Sequence, residues 1–382
     1  MRTIVLLSSA LANNLPDFDF VYVGITGRPL GYLLHHRGHT HTLPGALVLG
    51  ALAFALAWPL ARHAAPTRHE IRVLAAVSFL GPVLHIAMDA SNTYGVHPFW
   101  PFYDGWMYAD SIFIIEPLFW ATAVPALFFA ARTLAMRIGL ALFLTASIGL
   151  AWALPFVPIY SATLLTLLTV GMMVATWRAR PLARVVLAVT ASAIVGIAFL
   201  TASLRARTIL ARAASATEAV VHAIALTPMP ANPLCFDAWV VQTSGPTYAA
   251  RRAMVAPLPG LVSAERCPID TREHPTAPLS HDPSPTTAEI RWRSAFRAPR
   301  AELAELAYSS CVAAAFLRFS RVPYWTKAEG SYIVGDLRYD RNPGLDFADI
   351  PLGPPAIPDA KCPVAVPPWT PPRLDVLELS SP

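Results

Sequence analysis

A run of 40 consecutive uncharged residues, 138–177, constrains the fold of this chain more than any other feature. One membrane-spanning helix needs about 20 apolar residues, so the run predicts two spans. Pro155 and Pro158 place the turn between the two spans near the middle of the run. The lengths of the apolar runs exclude a purely soluble globular protein. Solvating groups are also scarce, since only 14% of the residues are charged, compared with about 25% in soluble domains.

Other apolar stretches extend this pattern over the first 204 residues. Those with the composition of spans are residues 44–61, 73–88, 111–131 (interrupted only by Glu116) and 185–204. Residues 3–12 are too few to cross a bilayer and predict a half-helix or, alternatively, the core of a signal peptide. The predicted fold class is therefore mainly α: a polytopic membrane bundle of about six transmembrane helices plus a short N-terminal half-helix, over residues 1–204.

Arginines in the loops predict the orientation of this bundle. The loops after the first, third and fifth spans contain Arg62, Arg68, Arg72, Arg132, Arg137, Arg178, Arg180 and Arg184. The alternate loops, 90–110 and 155–158, contain no Lys or Arg. Because basic loops stay in the cytoplasm, residues 13–43, the 90–110 loop and everything after Leu204 are predicted outside it. The exceptions are Arg28, Arg37, Arg205, Arg207 and Arg212.

The scattered cations agree with this interpretation. The net charge is +5, and 27 of the 29 basic residues are Arg, distributed between apolar runs. We interpret them as topology signals in a multi-pass membrane protein. A basic nucleic-acid footprint is not present, so the expected partner is the lipid bilayer and not a nucleic acid.

The tail, residues 205–382, has a different composition and predicts a soluble α+β domain outside the cytoplasm. It contains all the cysteines, Cys235, Cys267, Cys311 and Cys362, which predict one or two disulfides or, alternatively, free buried thiols. Strands are predicted over 236–242 and 247–252, one helix over 301–316, and a hairpin of 324–327 with 331–339, turned at Glu329 and Gly330. The proline-rich stretches 255–285 and 351–372 predict loops. No nucleophile signature stands out, so a cap or partner-binding module is expected.

Polar residues that do not suit a membrane domain cluster toward the same predicted face. Residues 35–41 contain four histidines, and Asp17 and Asp19 precede them. His85 and Asp89 are four residues apart in the second span, on one helix face. Two further carboxylates, Asp110 and Glu116, follow in and just after the Arg-free loop. Ionisable groups within spans are costly and usually functional.

Imidazole and carboxylate side chains together suit zinc or another divalent first-row metal. Taken singly, each group has a plainer explanation: a turn for Asp17 and Asp19, an interfacial loop for the histidines, and an interhelical hydrogen bond for His85 with Asp89. Their agreement on one membrane face favours a metal site. His35 and His39 are expected near the site and not among the ligands.

These residues occur in motifs that resemble a known family. The motifs are residues 16–19 (PDFD), 36–42 (HRGHTHT), 85–95 (HIAMDASNTYG), 98–102 and 108–117 (YADSIFIIEP). They resemble the YdjM-like, LexA-binding group of bacterial inner-membrane metal-dependent hydrolases, strongly over about residues 10–120. The sequence departs at Thr42, where Ser is usual, and at Glu116, where Asp is usual. The family pattern also has a Thr-His pair ahead of Pro16, so either the natural chain begins upstream of Met1 or the metal site lacks one family ligand.

The resemblance implies metal-dependent hydrolysis, with ligand motifs similar to those of zinc phospholipase C-type enzymes. The metal ligands that it implies are Asp17, Asp19, His36, His41, His85 and Asp89, with Asp110 in support. We expect a zinc-dependent hydrolase at the non-cytoplasmic interface that acts on a lipid-linked ester or phosphoester. Asp89, Asp110 or Glu116 would accept a proton, and Arg37 would hold an anionic headgroup. The alternatives are a metal carrier or transporter, and a non-enzymatic scaffold with a structural metal.

Overall fold

The structure is a computed structural model that describes residues 1–27, 29–215, 218–269, 273–328, 330–353, 362, 365–369 and 373–377. The first part of the chain is helical and the rest is mixed α and β, as the sequence predicts. The helices of the first part are α1 (Arg2–Asn14), α2 (Phe20–Thr26), α3 (Leu30–His35), α4 (Leu43–His63), α5 (Arg68–Ala90), α6 (Pro117–Ala130), α7 (Leu134–Ala153), α8 (Ile159–Trp177) and α9 (Pro181–Ser215). Two 3-10 turns, Pro16–Asp19 and His39–His41, lie between the early helices.

Within the described residues, five helices are long and apolar enough to cross a membrane: α4, α5, α7, α8 and α9. Helices α7 and α8 are separated near Pro155 and Pro158, so the prediction of two spans in the long uncharged run is confirmed. Helix α1 covers only 13 residues, in agreement with the predicted half-helix.

The third predicted span, 111–131, is wrong in its extent. Helix α6 begins only at Pro117 and covers 14 residues, or about 21 Å at about 1.5 Å per residue, short of a hydrocarbon core of about 30 Å. The helix begins late because the Glu116 carboxylate accepts a hydrogen bond from the Leu118 N–H and caps it. Residues 111–116 are loop, which apolar composition alone could not distinguish from helix.

Small side chains allow α1 to lie close against α5. A Cβ atom at Gly81 of α5 would lie 2.7 Å from the Ala12 Cβ atom, so only glycine permits this approach. One turn earlier, the buried hydroxyls of Ser8 and Ser78 share a hydrogen bond of 2.9 Å. Small residues and hydroxyl pairs are the usual means of packing helices in a membrane. This packing fixes the end of α1 beside the carboxyl-terminal half of α5.

Helix α9 connects the membrane part to the tail. Its 35 residues span about 50 Å, more than a bilayer core of about 30 Å, so its last turns extend beyond the apolar layer. The predicted boundary at Leu204 lies within this continuous helix. Ala206, Ile209 and Leu210 in those last turns pack against one face of the tail's larger sheet.

Two antiparallel sheets and three helices make up the described part of the tail. The strands are β1 (Val220–Met229), β2 (Asn232–Ser244), β3 (Thr247–Val255), β4 (Ser280–His281), β5 (Ile290–Pro299), β6 (Pro323–Ala328), β7 (Ser331–Asp336) and β8 (Asp349–Pro351). The larger sheet has the order β1-β2-β3-β5-β4 and the smaller one β6-β7-β8. The helices are α10 (Arg300–Ser309), α11 (Cys311–Phe319) and α12 (Leu374–Leu377), and a 3-10 turn covers Ala264–Arg266.

Both faces of the larger sheet are covered, as strand β2 shows. Phe236 and Val240 of β2 face α9, whereas Trp239 and Val241 belong to the core on the other side. This alternation follows the two-residue period of a strand. The core that contains Trp239 and Val241 also includes Leu33 and Tyr94 from the helical part of the chain. The tail therefore packs directly on helix α3 and on the segment that follows α5.

Most tail elements follow the prediction, and one does not. The strands expected at 236–242 and 247–252 are confirmed by β2 and β3. The predicted hairpin is formed by β6 and β7; Gly330 of its turn has φ +82°, and Glu329 lies outside the described residues. The single helix predicted over 301–316 is wrong, because the chain breaks at Ser310, whose hydroxyl accepts a hydrogen bond from the Ala313 N–H and starts α11.

Two disulfides, Cys235–Cys267 and Cys311–Cys362, use all four cysteines. The first lies in a small buried cluster beside β2, and the second joins the start of α11 to a segment near the chain's end. The described residues of the two proline-rich stretches are mostly loop, interrupted only by short elements. The parts of those stretches at 270–272, 354–361, 363–364 and 370–372 lie outside the described residues.

Candidate metal centre

Four side chains from three separate stretches meet beside the end of α5. Asp17 comes from the first 3-10 turn, His41 from the second, and His85 with Asp89 from the last two turns of α5. Their ligand atoms all lie within 4.8 Å of one another. His41 is fully buried, His85 and Asp89 are largely buried, and the Asp17 side chain is 51% exposed. The cluster therefore opens to the surface on the side of Asp17.

The distances within this cluster fit a bound ion. The His41 Nε2 atom lies 3.1 Å from Asp89 Oδ2 and 3.6 Å from Asp17 Oδ1. The His85 Nε2 atom lies 3.3 Å from Asp89 Oδ2 and 3.4 Å from Asp17 Oδ1. Ligands held at about 2.0–2.1 Å in a tetrahedron are separated by about 3.3 Å. Alternating nitrogen and oxygen atoms at this spacing leave room for one divalent cation between them.

Unpartnered atoms support the same interpretation. His41 Nε2, His85 Nε2 and Asp89 Oδ2 are buried and make no hydrogen bond within the described structure. Their contacts with one another do not have the direction of hydrogen bonds. Buried polar atoms normally have a partner, so three such atoms aimed at one point indicate a missing ligand. The donor set of imidazoles and carboxylates is the one that zinc and similar metals prefer.

The far nitrogen of each imidazole fixes its tautomer. His85 Nδ1 lies 2.7 Å from the Asn13 carbonyl oxygen, which can only accept, so Nδ1 carries the proton. His41 Nδ1 lies 3.0 Å from the Thr40 hydroxyl, which in turn donates to Asp19 Oδ2 at 3.1 Å. In its neutral form, each ring thus presents an Nε2 lone pair to the cluster. Metal-binding histidines are usually held in this way by an outer carbonyl or carboxylate.

Asp19 and His36 organise the cluster from outside it. The buried Asp19 carboxylate accepts hydrogen bonds from His36 Nδ1 at 2.9 Å and from the Arg37 backbone N–H at 2.7 Å. These contacts hold the loop that contains His41. The structure places both residues next to the four-residue cluster and not among its converging atoms.

Arg37 orients Asp89. Its Nη2 atom lies 2.8 Å from Asp89 Oδ1, which leaves Oδ2 toward the histidines. The guanidinium also donates to Asn92 Oδ1 at 3.0 Å and to the Gly95 carbonyl at 3.2 Å. Arg37 is buried and adopts φ +61°, a conformation unusual for arginine. These contacts make Arg37 a positioning residue for Asp89. Its predicted capture of an anionic headgroup stays a prediction.

Two carboxylates expected at the site are engaged elsewhere. Asp110 is buried and pairs with Arg207 and Arg321 from the tail side. Glu116 caps α6 and accepts a hydrogen bond from the Ala231 N–H. The structure does not bring either of them into the cluster, because each one satisfies groups at the contact between the bundle and the tail.

Other sequence expectations concern neighbouring groups. His35 and His39 lie outside the cluster and contact the Trp369 ring, as expected for residues near the site. The sequence analysis did not identify three residues that hold the cluster from outside. These are Asn13, which contacts His85, Thr40, which contacts His41, and Asn92, which contacts Arg37. Thr40 and Asn92 lie within the recognised motifs, which was the available signal, whereas Asn13 acts through its backbone carbonyl and gives no side-chain signal.

A proton on His41 competes with a metal for the cluster. Burial lowers the pKa of His41, but contacts with the carboxylates of Asp17, Asp19 and Asp89 outweigh it and raise that pKa to about 9. Burial raises the pKa of Asp19, but contacts with His36 and His41 outweigh it and lower the pKa to about 2. In the metal-free chain at neutral pH, His41 therefore carries a proton that a metal must displace.

We expect zinc affinity to increase with pH. Because His41 is protonated below its pKa of about 9 and must be neutral as a ligand, binding releases its proton. The dissociation constant should therefore fall at least about tenfold for each pH unit between about pH 6 and pH 8. Competition with a chelating dye measures this slope. An affinity independent of pH would contradict the assignment of His41 as a ligand.

Comparison with known proteins gives one result for the region that contains the cluster. No curated protein and no solved structure matches the chain. Residues 1–155 match a family model described as YdjM inner membrane protein, and all four residues of the cluster lie within that range. Arg207 and Arg321, which hold Asp110, lie outside it. Over residues 1–155, this chain therefore matches the YdjM inner membrane protein family, which confirms the family resemblance of its motifs.

Proposed function

We propose that this protein is a membrane-embedded, metal-dependent hydrolase, with zinc as the metal, that acts on an ester or phosphoester of a membrane-associated substrate. The observation that carries the proposal is the half-exposed Asp17 in an otherwise buried ligand cluster. A purely structural zinc site is closed by its four protein ligands, whereas a catalytic site remains open to water. The opening beside Asp17 supports a catalytic site.

The residues of the chain divide the work of such a site. The three buried side chains, His41, His85 and Asp89, would hold the metal, and the half-exposed Asp17 would lie at its open side. When bound, the metal would supply a water with a pKa of about 7. Arg37 fixes Asp89 through Oδ1, and Thr40 with Asp19 fixes His41. Because these contacts hold the cluster rigid, little free energy is needed to reorganise it during a reaction. Asp17 is the member through which water and substrate have access to the cluster.

The position of the cluster supports a membrane-associated substrate. His85 and Asp89 lie at the end of α5, near the end of a membrane-capable helix. The neighbouring segment exposes Phe18, Phe20 and Ile25, the last at 87%. Exposed apolar side chains beside a polar site suit the boundary between headgroups and acyl chains.

We also propose that the cluster and the tail lie on the non-cytoplasmic side. The two disulfides of the tail support this placement, since disulfides persist in oxidising compartments. Two of the arginines that depart from the charge rule, Arg37 and Arg207, pair with Asp89 and Asp110. Their position is explained by these pairs, and they need not act as topology signals. Arg28, another exception, lies outside the described residues.

The site position also separates this proposal from a metal carrier. Carriers commonly bind their cargo near the bilayer midplane, between broken helices. Here the ligands meet at one end of α5 and in 3-10 turns that precede α4. A liposome flux assay distinguishes the two functions, because a hydrolase should transport no metal.

A hydrolysis assay tests the proposal. Purified protein in detergent is stripped with a chelator, reloaded with zinc and incubated with bis-p-nitrophenyl phosphate, a p-nitrophenyl acyl ester and mixed phospholipid vesicles. We expect hydrolysis of at least one substrate that disappears on stripping and returns on reloading. His85→Ala should reduce the rate by about 10³-fold or more, since it removes a metal ligand.

The exposed His69, on the same helix as His85, provides the control. His69→Ala should retain the wild-type rate. If zinc-loaded protein hydrolyses none of the substrates, or if His85→Ala is as active as wild type, the proposed hydrolase is wrong.

A further inference from the structure

A cavity of about 460 Å³ lies between the helical bundle and the tail. Its volume is within the range of about 300–1,000 Å³ that small-molecule sites occupy. His36, Arg37 and Tyr94 form the wall toward the metal cluster, and Arg338, Tyr339 and Phe347 form the wall contributed by the tail. The cavity is thus adjacent to the cluster but does not include its four converging atoms.

Three buried polar groups on this cavity have no partner within the described residues. They are Arg37 Nε, the Thr93 hydroxyl and the Tyr339 hydroxyl. Each can donate a hydrogen bond, and Arg37 Nε can only donate. Burial raises the pKa of Tyr339 to about 12, so its hydroxyl keeps the proton at neutral pH. Three unpaired donors around one space call for a ligand that accepts hydrogen bonds.

The charge of the lining indicates an anion. Arg37, Arg338 and Arg341 line the cavity, and the described lining contains no carboxylate. Arg37 and Arg338 are already paired with Asp89 and Asp336. The Arg341 side chain is 48% exposed, and its Nε atom lies 3.8 Å from Glu273 Oε1. Its charge is therefore the one most available to a ligand, and arginine suits the oxygens of phosphate or carboxylate.

One side of the cavity is apolar and leads toward the membrane part. Ile112, Phe113 and Ile114 form one side, and Ile114 is 69% exposed. Ile114 lies three residues before α6, an apolar helix of the bundle. Phe347 on the opposite side is 42% exposed. An apolar chain could enter between these side chains while an anionic group reaches the donors.

We propose that this cavity binds an anionic amphiphile, with its oxyanion at Arg37, Thr93, Tyr339 and Arg341 and its apolar chain against Ile112–Ile114. The site is built jointly by the bundle and the tail, which gives the tail a role in ligand binding. The proposal concerns binding alone and stands independently of the proposed hydrolysis.

Calorimetric titration of the full chain in a non-ionic detergent tests this site with hexyl phosphate, inorganic phosphate and hexanol. Hexyl phosphate should bind more tightly than either of the others. Tyr339→Phe and Thr93→Val each remove a hydroxyl that has no protein partner, so the fold should be retained. Each should weaken hexyl phosphate binding roughly tenfold, the effect of one lost hydrogen bond to a charged group.

Tyr308→Phe is the matched control, since Tyr308 is 82% exposed and does not line the cavity. Its affinity should equal that of the wild type. Ile114→Ser should weaken hexyl phosphate but not inorganic phosphate.

The other outcomes would overturn the proposal. Equal affinity for inorganic phosphate would identify a free oxyanion as the ligand and remove the role of the apolar wall. Equal affinity for hexanol would remove the role of the charge. No binding of hexyl phosphate, or unchanged binding by both hydroxyl variants, would show that this cavity is not the site.

Discussion

Replacing His41 with alanine is expected to abolish metal binding. His41 is fully buried, its Nε2 atom has no hydrogen-bond partner, and it lies within 3.6 Å of both carboxylates of the cluster. Alanine leaves two acidic groups with one imidazole, and a three-ligand remainder binds zinc far more weakly. Mass-spectrometric metal analysis of purified protein should give about one zinc per chain for wild type and less than about a tenth of that for His41→Ala.

Two comparison variants make this result specific. His69→Ala, an exposed histidine on α5, should retain the full metal content. Thr40→Val removes the hydroxyl that bridges His41 and Asp19 and leaves the ligands in place. Its zinc affinity should fall by about 10–100-fold, as for other outer contacts of metal ligands. Full metal content in His41→Ala would rule out this cluster as the metal site.

The sequence predicted this cluster well where spacing and residue chemistry are local. His85 and Asp89 are four residues apart, and helical geometry alone places them on one face. Asp17 and His41 had to be joined to them through a shared membrane face and a family resemblance. The structure brings all four together. What joins them is the close packing of α1 on α5 at Gly81, a tertiary contact that no spacing rule gives.

The expectations that differ from the structure share one physical cause. Asp110 and Glu116 have suitable chemistry for the site and were predicted on the same membrane face, but they bind tail groups instead. A carboxylate pairs with buried donors near it in space, and two of the donors here, Arg321 and the Ala231 N–H, lie more than 100 positions later in the chain. Similarly, Ser310 breaks the predicted tail helix because its hydroxyl caps α11. Composition and periodicity cannot locate such partners.

The contacts of Asp110 predict a large loss of stability in Asp110→Asn. Its carboxylate is fully buried and accepts two hydrogen bonds from Arg321, at 2.7 and 2.9 Å, and one from Arg207 at 2.6 Å. Two-pronged pairing of this kind is among the strongest polar contacts in proteins. Removing one partner of a buried pair leaves an uncompensated charge and costs about 3–5 kcal/mol.

Asparagine removes the charge without straining the backbone, because Asp110 has φ +49° and asparagine tolerates that conformation. The loss therefore reports on charge and not on backbone strain. Since Arg321 belongs to the tail, thermal unfolding in detergent should show a lower melting temperature, and limited proteolysis should release the tail earlier. Asp104→Asn, an exposed acid in the same loop, should change stability by no more than about 0.5 kcal/mol. If both variants unfold like the wild type, Asp110 does not hold the tail to the bundle.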